Sequence, residues 1–169
     1  MGREVRRVPP TWEHPKDLGG RPRPLYDGSW VADVREWMDA AIAWDNGTEE
    51  DAPRQKADYP FYWEWSGGPP ERDSYMPDWP EAERTHYQMY ETTSEGTPIS
   101  PVMASPEELA RWLADHNASA FGSSTASYEA WLGACRGGWA PSAAMIGGQL
   151  ISGVEAMQVT QADPEVEHG

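Results

Sequence analysis

Three tryptophans spaced seven residues apart constrain this chain more than any other feature. They lie in SWVADVREWMDAAIAWDNG, where Trp30, Val34, Trp37, Ala41 and Trp44 recur at i, i+4, i+7, i+11 and i+14. That spacing gathers them on one stripe of an α-helix. Ser29 or Asp27 can cap its start, and Asn46-Gly47 supply a left-handed residue to end it. Val31, Met38 and Ile42 widen the apolar face, while Asp33, Glu36, Asp39 and Asp45 lie largely elsewhere. A row of indoles suits base stacking; beside so many carboxylates it reads instead as core.

Other segments carry equally local signals. REVRRVPP suggests a short edge strand through Val5 and Val8, ended by Pro9-Pro10. Residues 1–28 as a whole read as an extended basic arm, pinned by Trp12 and Leu25. The charged run at 45–58, DNGTEEDAPRQKAD, predicts a mobile loop. YPFYWEW, as a strand, would turn half of its aromatics inward. THYQMYETT alternates and predicts a strand; SEGT is a turn in which Gly96 is free to adopt positive φ. Pro98 and Pro101 keep the following PISPVM at a sheet edge.

Ser105-Pro106-Glu107-Glu108 is a capping box, opening a helix that buries Leu109, Trp112 and Leu113. His116 follows it as a partner for the C-terminal dipole. SYEAWLGAC predicts a second such helix, with Tyr128, Trp131, Leu132 and Cys135 on one face and Gly137-Gly138 ending it. SAAMI-GG-QLIS is the signature of a two-residue hairpin. The whole predicts a single α+β domain over 1–157, an antiparallel or mixed sheet with about three helices packed on it and a C-terminal β-hairpin. Residues 158–169 read as a disordered acidic tail.

A chain of 169 residues can hide roughly 70% of its unfolded surface. Its ten Trp and seven Tyr make that burial effective, so neither a metal nor a disulfide is needed. One cysteine cannot form an internal disulfide, the N-terminal stretch has no apolar leader segment, and no apolar run approaches the length of a membrane span. The expectation is a soluble protein of a reducing cytoplasm, with no membrane and no cofactor.

Charge is uneven. Residues 1–24 hold six basic groups against three acidic, 25–95 hold five against 17, and 96–169 hold two against eight, for a net −15. Such a surface repels phosphates and disfavours direct nucleic-acid binding. It suits a basic partner protein, including one whose nucleic-acid groove it could occupy, although charge of this size also serves solubility alone. Asp73, Asp78, Glu81, Glu83, Glu91, Ser94, Glu95 and Thr97 are the candidate partner-binding residues.

Catalytic signatures are absent: there is no phosphate-binding glycine loop, no nucleophile elbow and no zinc-ligand spacing. Four scattered His and one Cys offer no metal cluster. Cys135, on an apolar helix face, reads as a buried and inert thiol. Glu91 and Glu95 are weak candidates for an acid–base carboxylate pair, with Ser94 and Thr97 as hydroxyls beside them.

The run HYQMYETTSEGTPISPVMASPEELARWL, followed by ASAFGSSTASYEAWL, GGWAPSAAMI and SGVEAM, resembles a family of uncharacterised proteins from tailed bacteriophages and prophages. REVRRVPPTWEHP and MPDWPEAERTHYQMYE resemble it too, so the likeness covers nearly the whole chain up to Met157, most loosely at 45–75. It implies a phage or prophage origin and expression inside a bacterium, and carries no activity with it. Three functions fit these expectations. One is an acidic binder of a host or phage protein, including an anti-CRISPR-like inhibitor of a defence complex that acts as a nucleic-acid mimic. The second is a small enzyme or ligand-binding domain of nucleotide or DNA-modification metabolism. The third is a virion or assembly accessory.

Overall fold

Residues 2–92, 96–146 and 149–156 are described in the computed structural model. The chain is α+β and divides into two units, Met1–Pro24 with Asp78–Gly169 and the intervening Leu25–Pro77. Both junctions fall in Pro-rich stretches, GGRPRPLY and YMPDWP, which read from the sequence as loops within one domain.

The first unit is built on an antiparallel sheet. β1 (Gly2–Val8) pairs on one side with β2 (His86–Glu91), and β3 (Thr97–Pro98) lies beyond β2 at the edge. On its other side β1 pairs with a short strand, Trp139–Pro141, the fourth in the order β3-β2-β1-β4. REVRRV is therefore an interior strand, not an edge and not part of an extended arm. Pro9 and Pro10 stand just beyond its last paired residue, so they cost the ladder no donor.

Two helices cover one face of this sheet. α4 (Pro106–Asp115) starts at Ser105, whose hydroxyl accepts from the Glu108 amide at 3.1 Å, and Pro106 occupies the first turn. α5 (Tyr128–Gly137) starts at Ser127 and ends at Gly138, which has φ 80°. Their apolar stripes enclose Leu109, Leu113, Trp131 and Ala134 together with Met89 of β2. Each fully buried Leu contributes on the order of 1.5–3 kcal/mol. β5 (Ala143–Ile146) and β6 (Gln149–Ser152) pair as an antiparallel ladder. The expected turn residues Gly147 and Gly148, like the tail at 158–169, lie outside the described residues.

The opposite face of β2 is also covered. Gln88, Met89 and Tyr90 are buried in succession, which alternation alone forbids unless both faces are packed. Trp12 and His14 cover the Tyr90 side: the indole Nε1 donates to the Tyr90 hydroxyl at 3.1 Å, and His14 Nδ1 lies 3.3 Å from it. The Pro-rich loop of residues 9–24 is thus held against the sheet by Trp12 and His14.

The second unit is helical. α1 (Trp30–Asn46) is capped by Ser29 and ended by Gly47, at φ 70°. Two short helices follow, α2 (Ala52–Gln55) and α3 (Tyr62–Ser66). The charged stretch at 45–58 is thus no open loop: Ala52 is buried, and Lys56 Nζ donates to the Trp44 and Asp45 carbonyls at 2.9 and 2.7 Å. YPFYWEW forms α3 and its approach, not a strand, because its rings pack sideways on α1. Trp44 lies against Tyr62 and Trp65 at 5.8 and 6.0 Å between centroids.

The tryptophan row also makes polar contacts. Trp30 donates to the Pro70 carbonyl at 2.8 Å, Trp37 to Gly67 at 3.1 Å and Trp44 to Tyr59 at 3.2 Å. As the indoles ascend α1, their acceptors descend the chain. The return segment at 59–70, α3 with its flanking loops, is pinned antiparallel to the helix in this way, these three carbonyls satisfied by indole donors. The unit closes where it opens, since the Tyr26 amide donates to the Ser74 carbonyl at 2.9 Å and the Met76 amide to the Tyr26 carbonyl at 2.8 Å, on either side of the Tyr26–Tyr75 bridge.

Candidate protein-binding surface

On α1 the predicted apolar face separates into two stripes. Trp30, Val34, Trp37, Ala41 and Trp44 turn towards the return segment, with Trp44 fully buried. Val31, Met38 and Ile42, expected to widen that face, are instead 59%, 53% and 57% exposed. At i, i+7 and i+11 they form a stripe of their own, about 100° around the helix from the tryptophans. Arg35 stands on that stripe between Val31 and Met38, and the exposed carboxylates of Glu36, Asp39 and Asp45 belong to the same helix. Leu25–Pro77 holds 12 acidic and four basic side chains, a net −8. Phe61 and Trp63 of the same unit are also exposed, stacked at 6.1 Å between centroids.

The residues singled out from the sequence are scattered. Asp73 lies exposed in a 3-10 turn of the helical unit, while Asp78, Glu81 and Glu83 belong to the sheet unit, where all three are exposed. Glu81 is held between two arginines, Arg7 and Arg84, so its charge is compensated where it stands. Ser94 and Glu95 lie outside the described residues. Thr97 is the ladder partner of Glu91 at the sheet edge.

Glu91 faces a buried cation. Arg3, 3% exposed, places Nη1 2.8 Å from Glu91 Oε1, donates from Nε to the Ser119 carbonyl at 2.8 Å and from Nη2 to the Ser119 hydroxyl at 3.1 Å. A carboxylate serving this guanidinium is committed to neutralising it. The arrangement accounts for Glu91 as a structural ion-pair partner.

No protein-family model, curated protein or solved structure matches this chain.

A cleft of about 650 Å³ in the sheet unit is lined by Glu13, His14, Lys16 and Gln88 with three prolines. Its polar core is turned on itself. His14 Nε2 donates to the Arg23 carbonyl at 2.6 Å, Tyr90 donates to Gln88 Oε1 at 2.8 Å, and Gln88 Nε2 donates to the Ser100 carbonyl at 2.8 Å. Burial, with a smaller contribution from the Arg6 charge, pulls His14 below its ordinary pKa and favours neutral imidazole. The Arg6 guanidinium lies over the Tyr90 ring at 4.3 Å. This network braces the loop against the sheet.

Cys135 is buried, and its thiol is pushed up to about 12 by burial and then by the Glu107 charge, which leaves it without thiolate character. His116 caps α4 as expected, its Nδ1 donating to the Trp112 carbonyl at 2.8 Å. Among the described residues no three His, Cys, Asp or Glu side chains converge on a metal-sized site, and no helix is long and apolar enough to cross a membrane.

The α1 stripe is the surface that sequence reasoning missed. Its signal was present in the helical wheel, where Val31, Met38 and Ile42 cluster more tightly with one another than with any tryptophan.

Proposed function

We propose that this chain is a small acidic phage-encoded binding protein, docking through the exposed stripe of α1 onto a basic, nucleic-acid-binding protein of its host. One observation carries the reading: three large apolar side chains stand exposed on one helix face in a unit of net −8. Exposed apolar residues gain energy only when covered, and surrounding carboxylates select which surface covers them. A groove built for phosphates offers cations around apolar and aromatic contacts, the complement of this face. The resemblance to phage proteins supports a defence complex as the target, with occlusion of its nucleic-acid groove as the mode of inhibition.

Competition tests this directly. The protein should displace duplex DNA from a purified host defence complex, less effectively as salt rises, because rim charges are screened. A Val31→Glu/Met38→Glu variant that keeps the native melting temperature should lose displacement by at least tenfold. Equal competition by that variant, or none by the native chain, would sink the reading.

A further inference from the structure

The sheet unit carries a projection and a recess of opposite character on its two faces. The projection is the loop Lys16–Pro22. Lys16 and Pro22 form an antiparallel bridge; within it the Asp17 amide donates to the Arg21 carbonyl at 2.8 Å and the Gly20 amide to the Asp17 carbonyl at 3.0 Å. The Asp17 carboxylate accepts from the Gly19 and Arg21 amides at 2.8 and 2.9 Å and from Arg21 Nε at 2.9 Å. Those bonds fix the loop before any partner arrives.

Leu18 stands at the tip, 110% exposed, with Lys16 and Arg21 beside it. A lone surface Leu needs no explanation. One presented at full exposure by a loop tied down at five or so points has already met the ordering cost of binding.

The recess is a groove of about 460 Å³ on α4 and the start of α5. Met103, Trp112 and Tyr128 supply apolar walls, and Glu107, Glu108 and Asp115 supply carboxylates. The groove also holds Arg111, whose guanidinium lies 3.8 Å from the Tyr128 ring centroid, and His116 stacked on Trp112 at 4.2 Å. Its carboxylates still outnumber its cations, and Glu107 is shared with Arg136.

These two features cannot meet within one molecule. The loop belongs to the segment packed on the Tyr90 side of β2, whereas α4 and α5 pack on the Met89 side, and consecutive strand residues face opposite ways. We propose that the occupant of the groove is a second copy of this chain, its Leu18 loop inserted among Met103, Trp112 and Tyr128. Lys16 then faces Glu108 and Asp115, Arg21 being held by its own ion pair with Asp17. The contact is head to tail, so a pair keeps one loop open on one copy and one groove open on the other, and association extends with concentration. It uses the sheet unit alone and is independent of the α1 docking reading.

Sedimentation velocity of the full chain over a concentration series tests it. The weight-average mass should rise steadily with concentration. Leu18→Asp, and separately Met103→Arg/Asp115→Arg, should each hold the chain at monomer mass, with circular dichroism and melting temperature confirming the fold. Mixed in equal amounts, these two monomeric variants should form a one-to-one dimer, because one intact loop meets one intact groove. A native chain that stays monomeric up to on the order of 1 mM overturns the proposal. So does a dimer indifferent to Leu18→Asp, or variants that fail to pair on mixing. Loss of binding to some other protein in Leu18→Asp, with a monomeric native chain, would make Leu18 a foreign anchor and overturn self-docking too.

Discussion

Arg3 and Glu91 meet at 2.8 Å as ladder partners on β1 and β2, the arginine 3% exposed and the carboxylate at the sheet margin. The pair joins the first strand to a residue 88 positions later and, through Ser119, to the loop after α4. Glu91→Gln keeps the shape but leaves a buried guanidinium short of its counter-charge. Because Glu91 is partly solvated, the expected loss is about 1–3 kcal/mol in urea denaturation, less than for a fully buried pair. A Glu91→Gln protein as stable as the native one would mean that Glu91 is not a structural partner.

The indole ladder of α1 predicts graded effects. Trp44→Ala removes the fully buried ring at the centre of the helical unit and should cost about 3–5 kcal/mol. Trp37→Phe keeps most of the ring contact with Tyr62 and loses the bond to Gly67, for about 0.5–1.5 kcal/mol. Denaturation followed by far-ultraviolet circular dichroism ranks the two. The reverse order would show that Trp37, not Trp44, centres the unit.

His14 makes stability depend on pH. Its folded pKa lies below the ordinary 6.5, so the unfolded chain takes up the proton first. This contribution is whole above pH 6.5 and declines as pH falls from there towards the folded pKa. Melting temperatures measured between about pH 5 and 7.5 should therefore fall less steeply in His14→Gln than in the native chain. Parallel curves would assign the acid sensitivity to other groups.

The thiol of Cys135, raised to about 12 and buried, should react with a disulfide reagent only as fast as the fold opens. Native protein at neutral pH is expected to show under a tenth of the labelling seen in denaturant over the same interval. Rapid stoichiometric labelling of folded protein would place the thiol at an accessible surface.

Local order was legible in the sequence. Ser29, Ser105 and Ser127 cap their helices and Gly47 and Gly138 stop two of them, because capping joins residues within a turn of one another. The strand at His86–Glu91 and the pairing of Ala143–Ile146 with Gln149–Ser152 follow from short-range pattern in the same way. The α+β class comes from that inventory of elements.

Tertiary structure alone decided where those elements face. Nothing within REVRRV says that distant strands, His86–Glu91 and Trp139–Pro141, flank it on both sides, so its arginines read as a free basic arm until Glu91 and the Ser119 carbonyl arrive beside Arg3. Likewise, a helical wheel separates Val31, Met38 and Ile42 from the tryptophans, but only the return segment at 59–70 chooses which stripe is covered. Periodicity is set by bonds between near neighbours and is written in the chain. Burial, charge compensation and exposure depend on which distant segment packs alongside, and that is settled only when the whole fold forms.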